Sequence, residues 1–482
     1  NETAAAIMAA GTAMRSQTPG LLVTTIGPGL TNAVNGIADA SQEHVPLLVI
    51  SGVADRQTRA LYTHQVIDHA AILRPLVKAS FEIEQGAAGQ TIARAIALAT
   101  AEPPGPVHLD LAPGVAVMQD GNAPVIRPAK LFRPNIADDD RSIKHVAGLL
   151  NSAKRVLIMA GYEAVRAQAG AQLLDLAEKL NAPVITTYKA KGIIPEDHIL
   201  ALGGAGLSPA ADEILLDIVR QSDVIVMVGY DPIEMRLGWL GIGHDQVTIE
   251  ISNIAPDHGM HFATMRLAAC PAAACQALAS NVSQSSRPGI SVAAAIREKL
   301  NTRFSSEHAW GPHAIIETLN AWSGNSAVVT VDSGAHRILL AQKWSAREPL
   351  SLLQSAGFCT MAAALPLAAG AAVADPDKTV VAVLGDGGLE MGLGELATLR
   401  DLKLRVVIVV FQDCSLALIA QKQAGMQLAE RGVTLGATDF AAIARAMGGS
   451  GVTVDSTTDL EKALADTMAR HSFSLIACRF DA

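Results

Sequence analysis

Two apolar runs near the carboxyl end of the chain, TVVAVLGD (379–386) and RVVIVVFQD (405–413), each close on an aspartate, and Asp386 and Asp413 stand 27 positions apart. Runs of Val, Ile and Leu without polar alternation suit strands buried on both faces, the condition of parallel sheets covered by helices. The residues between them have room for one crossover helix, 390–402. In a right-handed βαβ unit both strand ends, and the loops carrying the two aspartates, then reach the carboxyl edge of the sheet. Ligands of open α/β sheets bind at that edge. Two carboxylates there could share a hard cation, with Mg²⁺ the natural choice for oxygen ligands. Gly385, Gly387 and Gly388 would let the backbone approach a phosphate. On spacing alone, a pair of ordinary helix N-caps is the favoured reading.

The same strand–helix alternation runs through the chain. A first block holds LLVTT (21–25), PLLVI (46–50) and PVHLDL (106–111), with helical stretches at 31–42 and 90–101. A proline-dotted segment, 119–140, reads as a linker. A second block opens with a helix at 141–152 and holds RVLIMAG (155–161), APVITT (182–187), DVIVMVG (223–229) and QVTIEIS (246–252). A serine-rich stretch, 280–289, precedes a third block with AVVTVD (327–332), the two aspartate-ended runs and FSLIACRF (473–480). The expected fold class is α/β, with three doubly wound parallel-sheet domains at 1–118, 141–280 and 290–482. The chain opens at Asn1, directly on a helix start, so a further N-terminal segment is expected.

Composition narrows the function. The net charge is −9 and no basic cluster occurs, so nucleic acid is not an expected partner. The cysteines at 270, 275, 359, 414 and 478 form no CxxC, which suits free thiols in a reducing cytoplasm. The longest apolar stretch, Met361 to Ala374, contains Pro366 and is too short to span a bilayer. No signal peptide is visible, and membrane is not an expected partner. No GxGxxG follows an early strand, against a nucleotide-binding oxidoreductase.

Four segments in order carry a family resemblance. NETAAAIMAAGTAMR (1–15), GPGLTNAVNGIADASQEHVPLLVISG (27–52), APVITTYKAKGIIPEDH (182–198) and GFCTMAAALPLAAGA (357–371) precede or surround the GDG at 385–387. Together they resemble the thiamine diphosphate-dependent enzymes of the acetolactate synthase and 2-oxo acid decarboxylase superfamily. The likeness covers essentially every residue of the chain. It implies a pyrimidine-binding domain, a central Rossmann-like domain and a diphosphate-binding domain, in that order.

The resemblance also implies roles. Glu2 would stand beside the aminopyrimidine ring nitrogen, in a dry pocket that raises its carboxyl pKa. Met361 would supply the bulk that bends the coenzyme. Asp386, Asp413 and the Ser415 carbonyl would hold Mg²⁺; Asp413 stands where most of the family has Asn, as in the catabolic acetolactate synthases. Gly387, Gly388, Ala335 and His336 would contact the diphosphate, and Gly27 and Asn32 lie in the first coenzyme-binding signature. LYTHQVIDH (61–69) resembles the family's Phe-Gln-Glu loop, with Gln65 on the Gln and His64 replacing Phe beside the substrate. Residues 421–432 would close over the pocket as a water-excluding lid.

The departures from the pattern are informative. No His-His dipeptide occurs, against decarboxylases of the pyruvate type. LIMAGYEAV (157–165) lacks the glycine cluster of the flavin-containing synthases, so FAD is doubtful. GYDPIEMR (229–236) is similar to flavin-free catabolic synthases, and Arg236 reads as either a substrate or nucleotide contact or an exposed side chain. The expected activity is a thiamine diphosphate- and Mg²⁺-dependent carboligase. It would decarboxylate a 2-oxo acid and add the enamine to a second carbonyl. The alternatives are simple 2-oxo acid decarboxylation and a non-catalytic cofactor-binding paralogue. In the family the coenzyme spans two subunits, so a homodimer or homotetramer is expected.

Overall fold

The computed structural model describes residues 1–119, 136–324, 326–467 and 472–480, apart from the side chain of Glu234. Most of the expected linker at 119–140 lies outside the described residues. The chain packs as two compact units. One holds the described residues of Asn1–Lys130, Val328–Gly334 and Leu353–Ala482; the other holds those of Leu131–Ala327 and Ala335–Leu352.

Among the described residues, sixteen strands form three sheets. The first contains β1 (Gly20–Thr24), β2 (Leu47–Gly52), β3 (Ser80–Glu82) and β4 (Pro106–Leu111), in the order β1-β2-β4-β3. The central sheet contains β5 (Val156–Ala160), β6 (Val184–Thr186), β7 (Ala201–Gly204), β8 (Val224–Val228), β9 (Val247–Ile251) and β10 (Met265–Leu267), ordered β10-β9-β8-β5-β6-β7. The last contains β11 (Val328–Val331), β12 (Leu352–Gln354), β13 (Val380–Gly385), β14 (Val406–Gln412), β15 (Ser450–Val454) and β16 (Ser474–Arg479), ordered β12-β11-β13-β14-β16-β15. The pairings through the middle of each sheet are parallel, as expected of doubly wound sheets.

Burial follows position in the sheet. Every residue of β5, β8 and β14 is buried, because helices cover both faces of a central parallel strand. The edge strand β1 departs from this pattern. Its residues alternate buried and exposed, with Leu21 and Val23 open on one face. No helix among the described residues is long and apolar enough to cross a membrane.

In the unit that holds the first and last sheets, helix α1 (Glu2–Ser16) packs on the helix Ala364–Ala374. Two glycines let the backbones touch. A Cβ at Gly11 would sit 2.7 Å from the Leu367 carbonyl oxygen, and one at Gly370 would sit 2.1 Å from that of Met8. Thr12 Oγ1 donates to the Gly370 carbonyl at 3.1 Å, and Arg15 pairs with Asp375 at 2.5 Å. Ile7, Ala363 and Leu367 form a small buried cluster at this crossing.

Two local expectations need correction. The stretch read as one helix over 390–402 is broken: helices span Asp386–Gly392 and Glu395–Asp401, with Leu393 and Gly394 between them. Asp386 is therefore the first residue of a helix rather than a loop residue. The helix begins immediately because β13 ends at Gly385 in extended conformation and the next residue turns directly into the first turn.

Candidate active site

The last sheet changes winding direction between β11 and β13, and Asp332 and Asp386 follow those two strands directly. Such a switch point opens a crevice at the carboxyl ends of the strands. The parallel register of β13 and β14 pairs Gly385 with Phe411, so Asp386 and Asp413 emerge at the same edge. Asp386 is buried, and its carboxylate accepts from the N–H of Gly387 and from that of Cys414, each at 2.7 Å. It thus ties the two strand ends together. Asp413 accepts from the Ser415 N–H at 3.1 Å and caps its own turn. A short bridge joins Ser415 to Thr434. Its hydrogen bonds run from Leu416 N–H to Val433 and from Leu435 N–H to the Cys414 carbonyl, and neither uses the Ser415 carbonyl.

Both aspartates are electrostatically frustrated. Burial pushes the Asp386 carboxyl above its ordinary value, and Glu390 adds to the shift. Burial raises Asp413 too, and the Asp386 charge raises it further. A hard divalent ion held by these oxygens would reverse that repulsion. The backbone beside them is closely packed and admits no side chain. A Cβ at Gly388 would lie 2.1 Å from Asp332 Oδ2, and one at Gly387 would press on Leu416 and Leu435 at 3.0 and 3.1 Å. An acid pair beside glycine backbone is a donor set that would suit a metal-bound diphosphate.

A second group gathers at the carboxyl edge of the first sheet. Glu2 stands in the first turn of α1, which Asn1 caps through its side chain. Asn32 lies on α2 (Pro28–Gln42) and donates from Nδ2 to Glu2 Oε2 at 2.5 Å. A Cβ on Gly29 would come within 3.6 Å of Glu2 Oε1. The expectation of a raised Glu2 pKa is not met within the protomer. Its carboxyl is lowered, chiefly by the Asn32 hydrogen bond and then by its own backbone hydrogen bond, because both favour the anion. Glu2 is only half-buried, so desolvation does not outweigh them.

The loop bearing His64 and Gln65 is exposed, and Gln65 adopts a left-handed conformation at φ 61°. It packs on Gly27: a Cβ there would meet the Gln65 carbonyl oxygen at 2.6 Å, and Gly27 itself has φ 64°. His69, fully buried, pins this arrangement. Its Nε2 accepts from the Gly27 N–H at 3.3 Å, so Nδ1 carries the proton and donates to Asp110 at 2.7 Å. His69, His108 and Asp110 have their ligating atoms within 4.8 Å of one another. A metal on His69 Nδ1 would move the proton to Nε2, against the Gly27 N–H, so the hydrogen-bonded dyad is the better account. The sequence reading passed over this trio, although a buried strand reading His-x-Asp at 108–110 was its available signal.

His108 is buried without a hydrogen bond to either ring nitrogen, and burial pushes its pKa down to about 4 from 6.5. Between those values the unfolded chain holds a proton that the folded chain lacks. Stability contributed by neutral His108 is therefore present above pH 6.5 and lost as pH falls toward 4. From pH 7 to pH 5 this amounts to about 2 kcal/mol at 1.4 kcal/mol per unit. Urea unfolding of His108→Leu at the two pH values should show a smaller drop than wild type. A residual drop is expected, because His261 is also pushed down to about 4.

Met361 is half-buried on the turn ahead of the helix Ala364–Ala374. Ala335 and His336 open the helix Ala335–Lys343 and belong to the other compact unit. Arg236 is exposed. Residues 421–432 are exposed apart from Gln423, which exchanges hydrogen bonds with the Arg431 backbone.

Comparison with known proteins agrees with this arrangement. The N-terminal thiamine pyrophosphate-binding domain of thiamine pyrophosphate enzymes matches residues 1–72, their central domain matches 143–278, and their C-terminal thiamine pyrophosphate-binding domain matches 332–478. A probable acetolactate synthase large subunit of Methanocaldococcus jannaschii is 30% identical over 462 residues, covering 88% of this chain and 74% of that protein. The chain belongs to the thiamine pyrophosphate enzymes of the acetolactate synthase superfamily. An acetolactate synthase of Bacillus subtilis is 27% identical over 97% of this chain and 83% of its own length. A probable large subunit from Methanococcus aeolicus is 28% identical over 97% and 82%. As a thiamine pyrophosphate enzyme of the acetolactate synthase type, the chain carries Glu2 in the N-terminal match and both aspartates in the C-terminal one.

Proposed function

We propose that this chain is a Mg²⁺-dependent carboligase that decarboxylates a 2-oxo acid and joins the remaining acyl unit to a second carbonyl compound. The observation that supports this reading is the Asp386–Asp413 pair at the edge of β13 and β14, two carboxyls raised by burial with the Asp386 charge acting on Asp413. Asp386, Asp413 and the Ser415 carbonyl would hold the metal, with Gly387 and Gly388 presenting backbone to the diphosphate. When bound, thiamine diphosphate supplies a nucleophilic carbon and an electron sink for loss of carbon dioxide. Glu2 holds a proton at the aminopyrimidine ring nitrogen, and Gly27 and Asn32 shape that end of the site. Met361 provides bulk against the coenzyme. Gln65 and His64 face the substrate, and residues 421–432 exclude water.

Exposure on the protomer supports a homodimer, or a homotetramer built from it. Asn32 and Gln65 are open, as are the apolar Leu61, Met426 and Leu428. A second copy closing over Glu2 would exclude the water that now solvates it. The domain limits we assign are 1–118, 141–280 and 290–482. FAD is left out of the proposal, since LIMAGYEAV (157–165) lacks the glycine cluster of the flavin-containing synthases. The five cysteines are free, in keeping with a cytoplasmic enzyme.

The test is a screen of 2-oxo acids with Mg²⁺ and thiamine diphosphate, recording carbon dioxide and coupled hydroxyketone products together. Coupled product from at least one donor–acceptor pair is the expected result. Carbon dioxide accompanied only by the aldehyde would replace carboligation by simple decarboxylation.

A further inference from the structure

Met361 sits on a turn whose backbone is held from two sides. On one side is a row of polar groups along α2. Asn35, Asp39 and Glu43 recur every fourth residue and so share one helix face. Asp39 and Glu43 are 1% and 0% exposed, a costly placement for carboxylates unless they are hydrogen-bonded. All three reach the segment just before Met361. Glu43 Oε1 accepts from the Ala356 N–H at 2.7 Å and the Gly357 N–H at 2.6 Å. Asp39 accepts from the Ser355 hydroxyl, whose oxygen in turn accepts from the Thr360 N–H at 2.9 Å. Asn35 accepts from the Thr360 hydroxyl at 3.0 Å.

On the other side is Asp332, buried at the end of β11. Its two carboxylate oxygens accept from Ala362 N–H and Ala363 N–H, both at 2.9 Å. Met361 lies between the two sets of contacts. Cys359 and Ala362 flank it in the left-handed region, at φ 58° and 60°. That conformation costs a residue with a Cβ roughly 1–2 kcal/mol, and persists only where the surroundings over-determine it. Hydrogen bonds to ionised groups are about twice as strong as neutral ones, which suits them to hold such a turn.

We propose that Glu43 and Asp39, with Asp332 opposite, are positioning residues that set where the Met361 side chain stands in the coenzyme site. The inference rests on the reading of Met361 as the side chain packed against the coenzyme. It adds that the placement is made by a helix of the first sheet's block, more than 300 residues earlier in sequence. A misplacement of about 1 Å in a catalytic constellation can cost on the order of 100-fold, so loss of the grip should appear in coenzyme activation more than in coenzyme binding.

The test uses the full chain labelled with methyl-¹³C methionine, the Met361 resonance being assigned from Met361→Ala. Glu43→Ala is expected to shift or broaden that resonance in coenzyme-free protein. With coenzyme and Mg²⁺ bound, exchange of the C2 proton should slow by roughly 10- to 100-fold while coenzyme affinity is kept. Glu43→Gln retains an oxygen acceptor and should restore the resonance. The double variant Glu43→Ala/Met361→Ala should exchange no more slowly than Met361→Ala alone, because the two act in series. Should Glu43→Ala not fold, Ser355→Ala removes only the hydroxyl between Asp39 and Thr360 and carries the same expectations. An unmoved Met361 resonance, or losses that add in the double variant, would overturn the proposal. Wild-type exchange in Met361→Ala would instead remove the role given to Met361, and the resonance in Glu43→Ala would still decide whether the row positions it.

Discussion

Asp386→Asn should abolish the stabilisation that Mg²⁺ and thiamine diphosphate give the wild-type protein. At 100 times its Kd a ligand that binds only the folded state adds about 2.7 kcal/mol, and the variant should gain nothing at the same concentrations. The reason lies in the two jobs of this carboxylate. It accepts from the N–H groups of Gly387 and Cys414, and it forms half of an acid pair that burial and mutual repulsion leave short of positive charge. Asparagine keeps one oxygen acceptor for the strand ends but removes the charge that a hard cation needs. Even the outer partners of a metal ligand are worth roughly 10- to 100-fold in affinity, so loss of a direct ligand should exceed that. The coenzyme-free variant should unfold at nearly the wild-type temperature, since a repulsion with Asp413 is relieved. Thermal scans with and without both ligands make the comparison, and a variant that keeps the full ligand-induced gain would remove Asp386 from the metal site.

Glu2→Gln should slow exchange of the coenzyme's C2 proton by roughly 10²- to 10⁴-fold, the usual worth of a positioned acid or base. Coenzyme affinity should hold, because glutamine still accepts from Asn32. In the protomer the Glu2 carboxyl is drawn below its ordinary value by that amide, which is the wrong direction for a group that must share a proton. A second copy closing over it would oppose Asn32 by removing water. The coenzyme-loaded oligomer should therefore show a Glu2 pKa above that of a dilute, dissociated protomer, measurable by carboxyl NMR. Wild-type exchange in Glu2→Gln would favour a cofactor-binding paralogue over an enzyme.

The strands that lead to the two aspartates were legible because they are almost wholly apolar. β13 and β14 are buried along nearly their whole length, and the aspartates that end them stand out against that background. Short edge strands were not legible. β3 is three residues, Ser-Phe-Glu, all half-buried, and β15 is Ser-Gly-Val-Thr-Val with two residues exposed. Their pairing comes from neighbours, not from a periodic pattern. The helix break at Leu393–Gly394 had its signal in two glycines, Gly392 and Gly394, which a helical pattern continuing on both sides masks. At the candidate site, the groups proposed to do chemistry could be named from short motifs, whereas those that hold them could not. Asp39 reads as one more polar residue on an alanine-rich helix, and its partner Ser355 lies 316 positions away. Asp332 opens the DSGAH stretch, but its role as a backbone acceptor appears only when Ala362 and Ala363 are brought to it.

Gly11 and Gly370 meet where no side chain can intrude, and neither approaches the acid pair or Glu2 through any hydrogen bond. Chimeras that exchange the N-terminal third of this chain for that of a relative should succeed only when both positions keep glycine together. A bulkier residue at either one would wedge the halves apart before any catalytic group was touched. Compatibility between these two segments is thus written in a pair of missing methyl groups.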